Sequence, residues 1–175
     1  PRGDAAAAEP ADAAARQAIT ELHGAAFGTT WTVKVRGDQV DAELLKRELE
    51  AELNRVEFSL SHWRASSATS DFNQLESTQP FGITPELAEL TELGLRLSRA
   101  TDGGFDLTIA PLTALWGFGP DGQRPTPTPE QISQARARVG WTKLTLDKAN
   151  LTLAKQHDGL NLDLGSLLQG YAADR

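Results

Sequence analysis

The segment at 100–119, ATDGGFDLTIAPLTALWGFG, combines residue types that could line a binding pocket. Gly103 and Gly104 allow a close backbone approach or a positive φ, and Asp106 offers a carboxylate acceptor between apolar neighbours. No regular helix or strand period runs through the segment. Two interpretations stay open: a pocket wall, or a helix-terminating loop whose apolar side chains fill the core, namely Phe105, Leu112, Leu115 and Trp116.

A second candidate is the segment at 159–175, GLNLDLGSLLQGYAADR. Its pattern predicts a strand that ends at Asp163 and passes through Gly165 into a helix. The free N–H groups of such a helix start favour a phosphate. The segment matches neither GxGxxG nor Walker A, so a structural turn explains its glycines equally well. Asp163 is either a ligand contact or a helix cap.

The third candidate, SHWRASSATSDFN at 61–73, places a Trp in a Ser-rich loop. Trp63 is either an anchor or a flat face on which an aromatic ligand stacks. Ser61 and His62 have the residue types of a nucleophile and its base. Sequence neighbours rarely face each other and no third member is identifiable, so a Ser/His hydrolase is disfavoured.

Composition limits the function classes further. The 175 residues suit one domain, and the net charge of -7 argues against a nucleic-acid or anionic-membrane partner. The absence of cysteine excludes disulfides, thiolate metal sites and a cysteine nucleophile. No apolar run approaches the roughly 20 residues of a transmembrane helix, and no signal-peptide pattern is present. The first residue is Pro, which predicts a processed or trimmed N-terminus.

Apolar periodicity predicts the elements that position these segments. Alternation over 27–37 predicts a strand, and the spacing that follows predicts a helix ending near Phe58. A short helical turn is expected near 71–75. Thr-Pro-Glu at 84–86 and again at 128–130 predicts two capped helices, with Gly140 placed to stop the second.

Three alternating segments, at 143–147, 151–155 and 160–164, predict an antiparallel meander followed by a helix after Gly165. Residues 1–25 are predicted to be a mobile leader that becomes helical near Ala13 to His23, and 26–175 the main domain. The fold class is α+β, with a mixed, largely antiparallel sheet packed with helices.

The order and wording of five motifs together are more specific than any one of them. GTTW, SHWRASSATSDFN, TDGGFDLTIAPLTALWGFG, ARVGWTKLTLD and NLDLGSLLQGYAADR closely resemble the N-terminal half to two-thirds of the FAD:protein FMN transferases, the ApbE flavin-transferase family. The resemblance covers about 27–175. It implies an ApbE-like fold whose C-terminal part is missing from this sequence.

The resemblance also implies an activity. Members of the family use Mg²⁺ and transfer FMN from FAD to a Thr or Ser hydroxyl of a target redox protein, which releases AMP. The implied partner is a flavoprotein subunit of an exported redox complex, and the implied location is the periplasm, with a signal peptide removed. Two alternatives remain: an FAD-binding or FAD-hydrolysing protein of the same fold, which would yield FMN and AMP, or a catalytically incomplete fragment.

Motif by motif, the resemblance implies roles for eight residues. Ser166 matches a position whose backbone carbonyl helps to ligate Mg²⁺, a cation that prefers oxygen ligands. Gln169 stands where the family often has an FAD-contacting Lys, so a positive charge near the pyrophosphate is lost. The other implied FAD contacts are Phe27, Trp63, Gly104, Phe105, Asp106 and Asp163. The catalytic residues and the remaining metal ligands are expected beyond residue 175.

Overall fold

A computed structural model describes residues 18–118, 122 and 125–175. The chain divides into two compact units, Pro1–Ala51 and Glu52–Arg175. Helix α1 (Ala42–Leu60) runs from the first unit into the second and extends two residues beyond its predicted end. Within the described residues, no helix is both long and apolar enough to cross a bilayer.

The first unit contains a β-hairpin. Strands β1 (Ile19–Ala26) and β2 (Thr29–Arg36) pair antiparallel, with Ala26 opposite Thr29. The two residues between them, Phe27 and Gly28, have φ angles of 53° and 73°. Positive φ at both central positions is the geometry of a type I′ turn, which matches the twist of the strands it joins. The alternation of β2 that the sequence predicts is confirmed.

The helix predicted near 13–23 is wrong for residues 19–23, which form most of β1; residues 13–17 lie outside the described residues. Every residue of β1 has a partner in β2. Cross-strand pairing therefore provides the backbone hydrogen bonds that a helix would have formed within itself. Gly24 lies opposite Trp31, whose indole ring covers it. The strand spans the proposed boundary between residues 25 and 26, and that boundary stays a prediction.

The second unit packs helices with a small antiparallel sheet. The strands are β3 (Phe81–Gly82), β4 (Leu144–Asp147) and β5 (Thr152–Lys155), in the order β3-β5-β4. The helices are α2 (Ala68–Gln74), α3 (Pro85–Ala100), α4 (Ala110–Leu115), α5 (Pro129–Ala137) and α6 (Gly165–Ala173), with a 3₁₀ turn at Trp141–Lys143. The predicted α+β class is therefore confirmed.

Both Thr-Pro-Glu starts form capped helices. The Thr84 hydroxyl accepts the Leu87 N–H at 3.1 Å, and Thr128 forms a capping box with Gln131. At the other end of α3, the Gly103 N–H donates to the Ser98 carbonyl at 2.8 Å with φ of 79°. A glycine in this left-handed conformation closes the helix and starts the loop that carries Asp106. Helix α5 ends at Ala137, before the predicted stop at Gly140.

The third strand of the predicted meander is wrong. Residues 160–164 form no strand, and β3 takes the third place in the sheet. The alternation does place Leu160, Leu162 and Leu164 in the core, where each is at most 1% exposed. However, the Asn73 amide, not a neighbouring strand, pairs with the backbone of Leu162, donating at 2.9 Å and accepting at 2.7 Å. At Leu162 the Asn73 side chain therefore makes the backbone hydrogen bonds that a neighbouring strand would make in the sheet predicted from periodicity.

The 100–119 segment also differs from expectation, because α4 forms a regular helix within it. The core-filling interpretation is wrong for its large side chains: Trp116 is 48% exposed, and the three other predicted core residues, Phe105, Leu112 and Leu115, are only partly buried. Among the described residues of the segment, 100–118, Leu107 and Thr108 are fully buried. The two residues that follow Asp106 therefore anchor this loop.

Candidate functional site

Asp106 lies in the loop between α3 and α4, and its carboxylate joins that loop to the start of the 3₁₀ turn. Oδ1 accepts the Thr108 N–H at 2.8 Å and the Thr108 hydroxyl at 2.7 Å. Oδ2 accepts the Trp141 N–H at 3.1 Å. The same Thr108 hydroxyl accepts the Gly140 N–H at 2.7 Å. Both carboxylate oxygens thus have protein donors, which fixes the loop against the start of the 3₁₀ turn.

Asp163 is held by three segments of the second unit. Its Oδ1 accepts the N–H of Gly165, the first residue of α6, at 3.0 Å, but the N-cap position belongs to Leu164, so the interpretation of Asp163 as the helix N-cap is wrong. Its Oδ2 accepts the Thr113 hydroxyl of α4 at 3.2 Å. The His62 Nδ1 lies 3.6 Å from Oδ1. The two hydrogen bonds orient the Asp163 carboxylate, and His62 lies beside it with a pKa that burial lowers.

The two predicted nucleotide segments are hydrogen-bonded neighbours. The Asp163 N–H donates to the Leu107 carbonyl at 2.8 Å, one residue after Asp106. Leu107 is fully buried and packs on Gly94 in the middle of α3, where an added Cβ would lie 3.2 Å from the Leu107 Cβ. The tertiary structure therefore brings the loop of Asp106 and the segment of Asp163 together, as their use in one site requires.

His62 is a titratable neighbour of Asp163. Its side chain is only 9% exposed. Burial lowers the pKa of His62, and the Asp163 carboxylate opposes that shift less strongly. The Ser61 hydroxyl accepts the Trp63 N–H at 3.3 Å, and no hydrogen bond between Ser61 and the His62 ring exists in the described part of the chain. A Ser61–His62 nucleophile pair is therefore not formed.

The remaining predicted contacts divide into two groups. In the second unit, Trp63 is 56% exposed, with its ring centroid 6.0 Å from that of His62. Gly104 is exposed and Phe105 half-buried in the Asp106 loop, and Ser166 and Gln169 are exposed on α6 at a spacing that shares a helix face. Phe27 belongs to the first unit, where it holds the strained first position of the hairpin turn.

A cavity of about 1000 Å³ lies beside His62 and Thr113. Neither Asp106 nor Asp163 lines it. Its walls contain polar residues that the sequence patterns did not single out, among them Thr113, Arg138 and His157. No local signal could have found them, because they come from separate elements and only the fold brings them together. Burial is the main cause that lowers the pKa of His157, with Lys143 adding to it.

The described residues do not by themselves form a Mg²⁺ site. Mg²⁺ requires near-octahedral coordination by oxygen atoms. Ser166 offers one backbone carbonyl, and residues 18–118, 122 and 125–175 contain no group of three or more acidic or His side chains that could hold a metal. Ser166 as a metal ligand stays a prediction.

A family model for ApbE matches residues 27–175, which is most of the chain. The chain belongs to the ApbE family. The resemblance predicted from the five motifs is therefore confirmed. The Asp106 and Asp163 segments, which lie next to each other in the structure, both fall within the region matched by the family model.

Relatives in the ApbE family support the assignment. The FAD:protein FMN transferase of Klebsiella pneumoniae is 37% identical over 159 residues, which cover 89% of this chain and 45% of that protein. The FAD:protein FMN transferase of Salmonella typhimurium is 37% identical over 169 residues, which cover 94% of this chain and 48% of that protein. The chain thus spans about half the length of these relatives.

Solved ApbE structures share the fold. The flavin transferase ApbE of Vibrio cholerae superposes with a TM-score of 0.83 at 33% identity, over 90% of this chain and 52% of that one. The apo form of flavinyl transferase ApbE from Pseudomonas stutzeri gives a TM-score of 0.81 at 38% identity, over 90% and 53%.

Proposed function

We propose that this chain supplies the part of an FAD:protein FMN transferase that binds FAD, and that the whole protein transfers FMN from FAD to a Thr or Ser hydroxyl of a target redox protein. The observation that carries the proposal is the family match over residues 27–175, together with relatives named for this activity. The hydrogen bond between Leu107 and Asp163 supports it, because it makes neighbours of two segments expected to contact one dinucleotide.

The proposed step is a phosphoryl transfer. The target hydroxyl oxygen forms a bond to the FMN phosphorus of FAD, and the bond from that phosphorus to the bridging oxygen breaks. AMP leaves with the bridging oxygen, and the hydroxyl proton passes to solvent or to the departing phosphate. Catalysis of such a step comes mainly from positioning and electrostatics, so the residues of this chain would bind and orient FAD.

Two exposed or strained aromatic residues suit such binding. Trp63 presents a largely exposed ring on which an isoalloxazine or adenine ring can stack. Phe27 has a φ of 53°, which costs a bulky residue free energy and is commonly retained at functional positions. We assign both to FAD binding, together with Gly104, Phe105, Asp106, Asp163 and Gln169.

The metal, partner and location are proposed from the family resemblance alone. They are Mg²⁺ with the Ser166 carbonyl among its ligands, a flavoprotein subunit of an exported redox complex, and the periplasm. Removing divalent cations with EDTA should abolish transfer, and added Mg²⁺ should restore it. Transfer that continues in EDTA would contradict the metal requirement.

Titration of FAD with the protein, followed by flavin fluorescence, tests the proposed role of Trp63 in FAD binding. Trp116, which has a similar exposure, serves as the control position. Trp63→Ala should weaken FAD binding about 2- to 10-fold, because aromatic stacking contributes about 0.5–1.5 kcal/mol. Trp116→Ala, which removes the 48% exposed Trp that follows α4, should leave the affinity unchanged. Equal effects of the two substitutions would contradict the assignment of Trp63.

Intact mass of an acceptor protein tests the transfer. Incubation of the whole protein with FAD, Mg²⁺ and a Thr-bearing acceptor should increase the acceptor mass by that of FMN less one water, and the 175-residue chain is incubated in parallel. Release of free FMN and AMP without that increase would favour the hydrolase alternative. FAD binding without either product would indicate that this chain lacks the residues for the chemistry.

A further inference from the structure

The cavity beside His62 has no assigned occupant. Five parts of the second unit form its walls: His62, the end of α2 with the residues that follow it at 73–76, helix α4, helix α5 with Arg138 after it, and the loop at 157–161. We call it the α2–α5 cavity. Its volume of about 1000 Å³ lies at the upper end of the range for ligand pockets. None of the residues proposed to contact FAD lines it.

The α2–α5 cavity shares a wall with the segment of Asp163. Thr113 and His62 both line the cavity, and both also face the Asp163 carboxylate, at 3.2 Å and 3.6 Å. Asp163 in turn accepts the first N–H of α6. A molecule bound in the cavity would therefore lie one side chain away from the acid that is proposed to hold the nucleotide.

The charges of the cavity do not suit FAD itself. Its walls include the carboxylates Glu76 and Asp158 and the guanidinium of Arg138. Burial lowers the pKa values of His62 and His157, which favours their neutral forms at neutral pH. A pyrophosphate would meet more negative than positive charge, so the occupant should be polar without a strong negative charge.

The polar groups of the cavity suit a peptide. Side-chain amides such as that of Gln134 both donate and accept hydrogen bonds, as each peptide unit of an extended chain requires. Apolar contacts for a peptide's side chains come from α4, through Ala110, Pro111, Ala114 and Leu115.

We propose that the α2–α5 cavity binds the segment of the target protein that carries the acceptor hydroxyl, in an extended conformation, and directs that hydroxyl past Thr113 toward Asp163. This inference rests on the proposed transferase function, since it assigns a place to the second substrate. It also separates the two substrates spatially, with FAD on the Trp63 side of His62 and the acceptor on the cavity side.

Paired substitutions on α5 test the proposal. Gln134→Trp places a large ring in the cavity, whereas Ser133→Trp places the same ring on an exposed position of the same helix outside the lining. The acceptor probe is the unflavinylated domain of a flavoprotein whose FMN is joined to Thr by a phosphoester. Its binding to the 175-residue chain is measured by titration calorimetry without FAD, and FAD binding is measured separately by flavin fluorescence.

Gln134→Trp should weaken acceptor binding at least about tenfold, while Ser133→Trp binds like the wild type and both variants keep wild-type FAD affinity. Acceptor binding that Gln134→Trp leaves unchanged would overturn the proposal, and so would a wild-type chain that binds no acceptor. Failure of the wild type to bind FAD would overturn the proposed function instead. The acceptor titration would still decide whether the α2–α5 cavity binds the target protein, because it is measured without FAD.

Discussion

Two helical glycines offer a sharp test of how the Asp106 loop is positioned. Gly94 lies within α3 and Gly170 within α6. Replacing either by Ala should gain about 1 kcal/mol of intrinsic helix propensity. An added Cβ meets nothing within 4 Å at Gly170, but at Gly94 it would lie 2.9 Å from Leu107 Cδ1 and 3.2 Å from Leu107 Cβ.

The two substitutions should therefore change stability differently. The Leu107 Cβ is attached to the backbone and Leu107 is fully buried, so the loop itself must shift to relieve the contact. Overpacking of this kind costs about 1–3 kcal/mol. Because the propensity gain is common to both, Gly94→Ala should be less stable than Gly170→Ala by about 1–3 kcal/mol, or about 2–4 °C in Tm for each kcal/mol.

Thermal and urea unfolding measure this difference, and hydrogen exchange reports its location. The Asp163 amide should exchange faster in Gly94→Ala, because the Leu107 carbonyl that accepts it moves with the loop. In a Leu107→Ala background the cost of Gly94→Ala should decrease by at least about 0.5 kcal/mol. Equal stability of the two Ala variants, with unchanged exchange at Asp163, would refute the packing argument.

Three further predictions concern the turn, the loop acid and the buried histidine. Phe27→Asn should raise the free energy of unfolding, measured with urea, by about 1 kcal/mol, because Asn tolerates positive φ. The same substitution should weaken FAD binding in a titration. A Phe27→Asn variant that binds FAD normally would exclude Phe27 from the FAD site. Asp106→Asn should cost about 1–3 kcal/mol of unfolding free energy through a lost acceptor, while Asp102→Asn at the exposed left-handed position should be nearly neutral. The pKa of His62, measured by NMR, should lie below the ordinary value of about 6.5. The unfolded chain then takes up the proton at a higher pH than the folded chain, so the stability of the wild type relative to His62→Gln should fall as pH decreases through 6.5. A pKa above 6.5 would contradict burial as the main cause of the shift.

The sequence predicted the elements whose signals are local. Thr84 and Thr128 cap their helices as expected, since a hydroxyl one residue before a Pro-started helix acts on its own first turn. The alternation at 144–147 and 152–155 predicted β4 and β5 for the same reason. The fold class and the family also followed from the sequence, because the motifs and their order are properties of the chain itself.

Elements whose partners lie far away in the chain were not predictable in this way. The two-residue strand β3 has no period to detect, and it exists because β5 offers it an edge. Residues 160–164 carry a strand pattern, yet the amide of Asn73 takes the place of the neighbouring strand. Residues 19–23 of the helix predicted near 13–23 form a strand instead, because they pair with β2.

The sequence alone therefore determined which residue types are present and the family to which they belong, since composition and motif order need no coordinates. Only the tertiary structure decided that the carbonyl of Leu107 accepts the amide of Asp163, that His62 faces Asp163 instead of Ser61, and that a cavity opens beside them. The physical reason is that hydrogen bonds and burial depend on distances between segments remote in the chain, which no local pattern records.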